Sequence, residues 1–154
     1  MEKQHALQQL EQLQKKLYAI HYACSAMNLD ADTVAPKNTS EGRGVALGVL
    51  AGEEQQLMIC PETRALLDEL DRQKDELDLL HRREVEELRR RCDQLTRIPA
   101  EEYIAYSELV NKAGDVWHKA KEKDDFAMFC PLLQELVEYN RKFAAYYDST
   151  RAPY

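Results

Sequence analysis

Residues 115–147 read DVWHKAKEKDDFAMFCPLLQELVEYNRKFAAYY, and this stretch decides the fold. Trp117 continues an apolar stripe that begins at Tyr103, Tyr106, Val110 and Ala113, at the three- and four-residue spacing of one helix face. Asp124-Asp125 breaks the stripe, and either carboxylate can cap a new helix through its side-chain oxygen. A Phe-x-x-Phe-x-Pro opening follows, and then a long amphipathic helix that is expected to bury Phe126, Phe129, Leu133, Leu136, Val137, Phe143 and Tyr147. Trp117 is read as a core tryptophan, with His118 exposed beside it.

The same periodicity extends upstream. From Lys3 to Leu29, the residues Leu10, Leu13, Leu17, Ile20, Cys24 and Met27 alternate three- and four-residue steps, the period of a supercoiled seam. The polar run Asp30–Ser40 ends that helix, since Pro36 lacks a backbone N–H and disfavours helix at Ala35. A second helix starts near Thr39 or Ser40 and carries Val45, Val49, Leu50 and Leu57. Gly42, Gly44, Gly48 and Gly52 each cost up to ~1 kcal/mol against alanine in a helix. Their density points to close approach of another backbone or to a weakly formed helix. Pro61 opens a third helix, with Leu66, Leu67 and Leu70 on its apolar side. A fourth, from about Asp75 to Arg97, carries the stripe Leu77, Leu80, Val85, Leu88, Cys92 and Leu95. Its charged face places Glu86–Arg90 and Glu87–Arg91 four apart, as solvated ion pairs. Ile98-Pro99 closes it, and Pro99 opens the fifth. The expectation is an all-α chain of about six helices in an antiparallel bundle, forming a single domain over residues 1–154.

Composition agrees with helices that are wet on one face: 32 % of residues are charged and 44 % hydrophobic. The net charge of −7 repels phosphate backbones, and the basic residues are interleaved with acids, so nucleic acid is not an expected partner. No run approaches the about 18 apolar residues of a membrane span, and residues 1–16 have no signal-like apolar core. Cys24, Cys60, Cys92 and Cys130 lie far apart on or beside apolar stripes, as reduced buried thiols of a cytoplasmic protein would.

Catalytic patterns are missing. A gluzincin zinc site needs His-Glu-x-x-His, so that two imidazoles one turn apart reach one metal. Here His5, His21, His81 and His118 are dispersed, and His81-Arg82-Arg83-Glu84 has no second histidine. His21 and Cys24 lie one turn apart but lack two further ligands, so packing is the expected role. Asp30-x-Asp32 has no further calcium-loop ligands and reads as loop acids in solvent. No serine neighbours a histidine in a nucleophile motif. No catalytic, cofactor-binding or metal-ligating residue is assigned.

Taken in order, several pieces resemble the N-terminal part of the carboxypeptidase Taq family of zinc metallocarboxypeptidases. They are Asp32, Thr33, Pro36, Arg43, Leu50, Pro61 and Glu62; then Thr96-Arg97-Ile98-Pro99; then Trp117, Ala120, Asp125, Phe126, Phe129, Pro131, Leu132 and Arg141. The closing Ala152-Pro153-Tyr154 resembles the point where family members run on into the enzyme body. A tryptophan expected ahead of the first acid is replaced by Asn28-Leu29-Asp30-Ala31. The resemblance implies a mostly helical, cytoplasmic, homodimeric carboxypeptidase trimming C-terminal residues with zinc or cobalt. Its metal ligands would lie downstream, so this chain alone is expected to be inactive. It implies that these helices form a wall and cover of the substrate groove and associate with themselves or with the missing catalytic body. The alternative is a self-contained helical interaction module derived from that family, with the Leu10–Met27 seam as its contact surface.

Overall fold

The computed structural model describes residues 3–36, 38–150 and 152. Six α-helices follow one another: α1 (Lys3–Thr33), α2 (Ser40–Ile59), α3 (Pro61–Arg72), α4 (Leu79–Thr96), α5 (Ala100–Glu122) and α6 (Phe126–Tyr147), with a short 3-10 turn at Lys74–Glu76. No strand occurs among the described residues.

The starts are explained locally. Pro61 occupies the first turn of α3, where its missing N–H has no partner to lose. Asp78, not a residue near Asp75, caps α4 by accepting from the His81 backbone N–H at 3.0 Å. The expected earlier start is taken up by the 3-10 turn, so Leu77 is buried ahead of the helix. Of the two candidate acids before α6, Asp125 is the cap, accepting from Met128 N–H at 3.2 Å. Asp124 instead makes the turn, with left-handed φ of 50°. Helix α1 runs on past Leu29 to Thr33, so Asp30 and Asp32 are helical rather than loop acids. Pro131 lies inside α6.

The chain divides into two compact units, Met1–Ala23 with Glu53–Arg97, and Cys24–Gly52 with Ile98–Tyr154. In the first, α3 and α4 pack as a hairpin. Leu10, Leu13 and Leu17 are buried, as are Met58, Leu66, Leu67, Leu70, Val85, Cys92 and Leu95. Gln55, 1 % exposed, donates to the Leu95 carbonyl at 3.2 Å, and buried Thr63 donates to the Leu57 carbonyl at 2.8 Å. The seam of α1 is closed only in its first half, since Ile20, Cys24 and Met27 are half-buried.

The second unit is built on the α5–α6 hairpin. Leu109, Ala113 and Leu132 form its core, with Val116, Phe129, Leu136 and Tyr139 packed against them. Tyr106 sits edge-on to Phe143 with ring centres 5.2 Å apart, a favoured aromatic geometry. The buried face of α5 is therefore Leu109–Ala113–Ala120, turned from the expected stripe, and Val110 and Trp117 are exposed. On α6, Leu132 and Phe143 are buried, while Phe126, Leu133 and Tyr147 are exposed. On α2, Leu47 is buried and Val45 and Val49 face outward.

Glycines of α2 explain its fit to α5. A Cβ at Gly44 would stand 3.0 Å from Asn111 Nδ2, at Gly48 2.8 Å from Glu108 Oε1, and at Gly52 3.0 Å from Ile104 Cδ1. The close approach is thus to side chains of α5, and Gly42 has open space.

Candidate functional site

Two polar clusters stand out. In the second unit, the glycine ridge of α2 brings Arg43 to α5. Its Nε donates to Asn111 Oδ1 at 2.9 Å, and its NH2 group to Asp115 Oδ1 at 2.8 Å. Asn111 Nδ2 in turn donates to the Ser40 carbonyl at 3.0 Å. Only 10 % of the Arg43 side chain is exposed, so the guanidinium is fixed by fork-like bonding rather than left for a ligand. Beside it lies an open depression of about 680 Å3, lined by Ser40, Val45, Asn111, Lys112, Val116 and Lys119 among others. It offers amide, hydroxyl and ammonium groups beside the carboxylates of Glu41, Glu108 and Asp115.

In the first unit, Glu54 of α2 is buried and accepts from two helices. His21 Nε2 of α1 lies 2.9 Å from Glu54 Oε1, and Arg91 of α4 bonds the same oxygen. Burial, and then the Arg91 charge, push the His21 imidazole below its ordinary range, so the neutral ring donates Nε2–H to the carboxylate. His21, 47 % exposed, thus has its Nε2 engaged by Glu54. Arg91 leaves Glu87, its expected partner. The charged face of α4 pairs by i,i+3 instead, with Arg83–Glu86 at 2.7 Å and Arg90–Glu87 at 2.7 Å.

The other candidates are dispersed. His81 Nδ1 binds its own helix cap, Asp78, at 2.7 Å, and the Asp78 carboxyl is held below its usual range chiefly by the His81 backbone N–H. His118 approaches Asp32 at 3.5 Å with both side chains largely exposed. Its ring meets Trp117 edge-on at 4.8 Å. Trp117 is 43 % exposed, so it is not the core residue its spacing suggested. The four cysteines are free: Cys92 is buried, Cys24 and Cys60 are half-buried, and Cys130 is exposed, against the expectation for that thiol. Burial pushes the Cys24 thiol up, away from reactivity. Among the described residues, no three His, Cys, Asp or Glu gather as a metal site. None of the helices there is long and apolar enough to cross a membrane.

Sequence reasoning passed over Glu54, Asn111 and Asp115. A signal existed for Glu54, which sits with Gln55 on the continuation of the buried Leu47–Met58 face, where polar residues demand partners. Three of the residues carrying the resemblance serve as joints. Arg43 ties α2 to α5, Asp125 caps α6, and Thr96 accepts from Arg64 at 2.8 Å. Pro153 and Tyr154 lie outside the described residues.

Comparison with known proteins supplies the rest. The sequence model of the Carboxypeptidase Taq (M32) metallopeptidase matches residues 9–154. Carboxypeptidase 1 of Bacillus subtilis is 34 % identical over 136 residues, which is 87 % of this chain and 27 % of that protein. Thermostable carboxypeptidase 1 of Pyrococcus furiosus is 29 % identical over 140 residues, 91 % of this chain and 28 % of the relative. The BsuCP crystal structure superposes with a TM-score of 0.91 at 30 % identity, over 97 % of this chain and 30 % of that one. The chain thus spans less than a third of the relatives it matches.

Proposed function

Because the chain belongs to the carboxypeptidase Taq (M32) metallopeptidase family, we propose that it is the N-terminal, non-catalytic helical region of a carboxypeptidase that removes C-terminal amino acids from peptides. The observation that carries the reading is the family match over residues 9–154 at less than a third of the relatives' length. The family's metal does not fit the residues present. His5 is bonded to Gln9, His21 to Glu54 and His81 to Asp78, and no three potential ligands converge among the described residues. No chemical step is therefore assigned to these side chains. Their role is to build a wall and cover of the peptide groove, with the ridge-and-fork joint of α2 and α5 keeping that wall rigid.

A chimera tests this directly. Residues 1–154 replace the matched region of the Bacillus subtilis relative, and release of C-terminal amino acids is followed with zinc or cobalt present. The chimera is expected to hydrolyse peptides, and the isolated chain is expected not to. Turnover by the isolated chain that chelation abolishes would falsify the reading, and so would a folded but inert chimera.

A further inference from the structure

We propose that the aromatic slot at the α5–α6 turn seats an apolar side chain from the polypeptide that supplies the rest of the carboxypeptidase Taq fold. The inference rests on the functional reading above and names the surface through which that reading works.

The slot is an open depression of about 340 Å3 lined by Trp117, Ala120, Lys121, Asp124, Phe126 and Phe129 among others. Its floor is fixed, because Ala120 is buried and Phe129 packs on the Leu109–Ala113–Leu132 core. Its walls are two large rings left in water, Trp117 at 43 % and Phe126 at 64 % exposure. Exposed apolar rings that converge on one concavity mark an interaction surface, unlike the scattered single hydrophobics of any protein surface. The rim is set as well. Asp125 is held as the α6 cap, and the Lys121 ammonium rests over the Trp117 ring at 5.1 Å from its centre. That cation shields the indole face and sits on a flexible stem, so an incoming side chain can displace it.

The occupant follows from what the chain contains. Its fold superposes on the BsuCP crystal structure at a TM-score of 0.91 yet covers 30 % of that chain, so the larger part of that structure lies outside the matched region, and that remainder is the occupant proposed here. The slot walls are mainly carbon, which suits a protruding side chain. A peptide backbone would need hydrogen-bond partners there. The volume is at the low end of ligand pockets, about 300–1,000 Å3, which suits one or two side chains.

The test uses the chain's single tryptophan. Codon suppression places 5-hydroxytryptophan at position 117, in the isolated chain and in the chimera described above, so that its emission is excited apart from other indoles. Acrylamide quenching is expected to be strong in the isolated chain and several-fold weaker in the chimera, with emission shifted to the blue. Phe126→Ser removes one wall at an exposed position. It should restore quenching in the chimera and lower the chimera's thermal midpoint, while leaving the isolated chain's midpoint in place. A chimera that hydrolyses peptides with position 117 as accessible as in the isolated chain overturns the seat and leaves the functional reading standing. Shielding that grows with concentration of the isolated chain makes a second copy the occupant and overturns the proposal. Shielding that needs added peptide makes the substrate the occupant and likewise overturns it. A chimera neither active nor shielded overturns both.

Discussion

Among the described residues, Leu10, Gln55, Met58, Leu67, Leu70 and Val85 are the largest fully enclosed side chains, and all six belong to the first unit. The second unit encloses its residues less completely, with Leu109, Leu132 and Phe143 each 7–8 % exposed. It also holds Leu29, Val34, Val45, Val49, Val110, Trp117, Phe126, Leu133 and Tyr147, all exposed, against Tyr18, Tyr22, Leu79 and Leu80 in the first. One unit is a finished core with polar groups locked inside it. The other keeps its joints, the Arg43 fork and the Phe143 ring cluster, but leaves apolar rings uncovered. The difference teaches where cover from a larger fold would matter.

Substitutions can break or sharpen that contrast. Leu70→Ala, at 0 % exposure, should be the most damaging, losing about 2–5 kcal/mol in urea denaturation. Phe143→Ala in the second unit should lose about 3 kcal/mol or less, since its surroundings are less tightly closed. Equal losses at the two sites would erase the distinction. Glu54→Gln should lose about 1–2 kcal/mol, because the Arg91 guanidinium then faces a weaker acceptor but is itself partly exposed.

In the first unit, His21 supplies a pH response near neutrality. The folded-state pKa of His21 lies below its ordinary value of about 6.5, so the unfolded chain binds the proton more readily. Stability is then full above that value and falls as pH drops through the folded-state pKa. The urea midpoint of the wild-type chain should decline between neutral and mildly acidic pH, and His21→Gln should flatten part of that decline. An unchanged profile would show that the ring carries no linkage. Smallest of all, Gly42→Ala should gain about 0.5 kcal/mol, because nothing lies within 4 Å of the new methyl group. Gly48→Ala should forfeit that gain against Glu108.

Helices were legible because their punctuation is local. Pro61, Pro99 and Asp125 act on their own neighbours, and each sits at a helix start in the structure. Faces were less legible. Val110 and Trp117 have core spacing beside Ala113, yet only Ala113 of the three is buried, with Leu109 and Ala120 as its neighbours on the inward face, since a partner helix selects the buried stripe and periodicity alone does not identify that partner. The glycines pointed to close approach of another backbone or to a weak helix, and the neighbours they meet are side chains. That the approach was to Asn111, Glu108 and Ile104 depended on a pairing of α2 with α5 far apart in sequence. The Glu54 junction draws on three helices, and no local window contains it.

Pro131 bears on the rest of α6. Its ring nitrogen carries no hydrogen, so the carbonyl of Ala127, four residues earlier, lacks its helical donor. The opening turn, with Phe126 at its tip, is tethered more loosely to the segment that Leu132 anchors. Deuterium should therefore enter the amides near Cys130 well before those around Phe143. With Phe129 of the same turn held on the core, the adjustment falls to the exposed Phe126 ring at the tip.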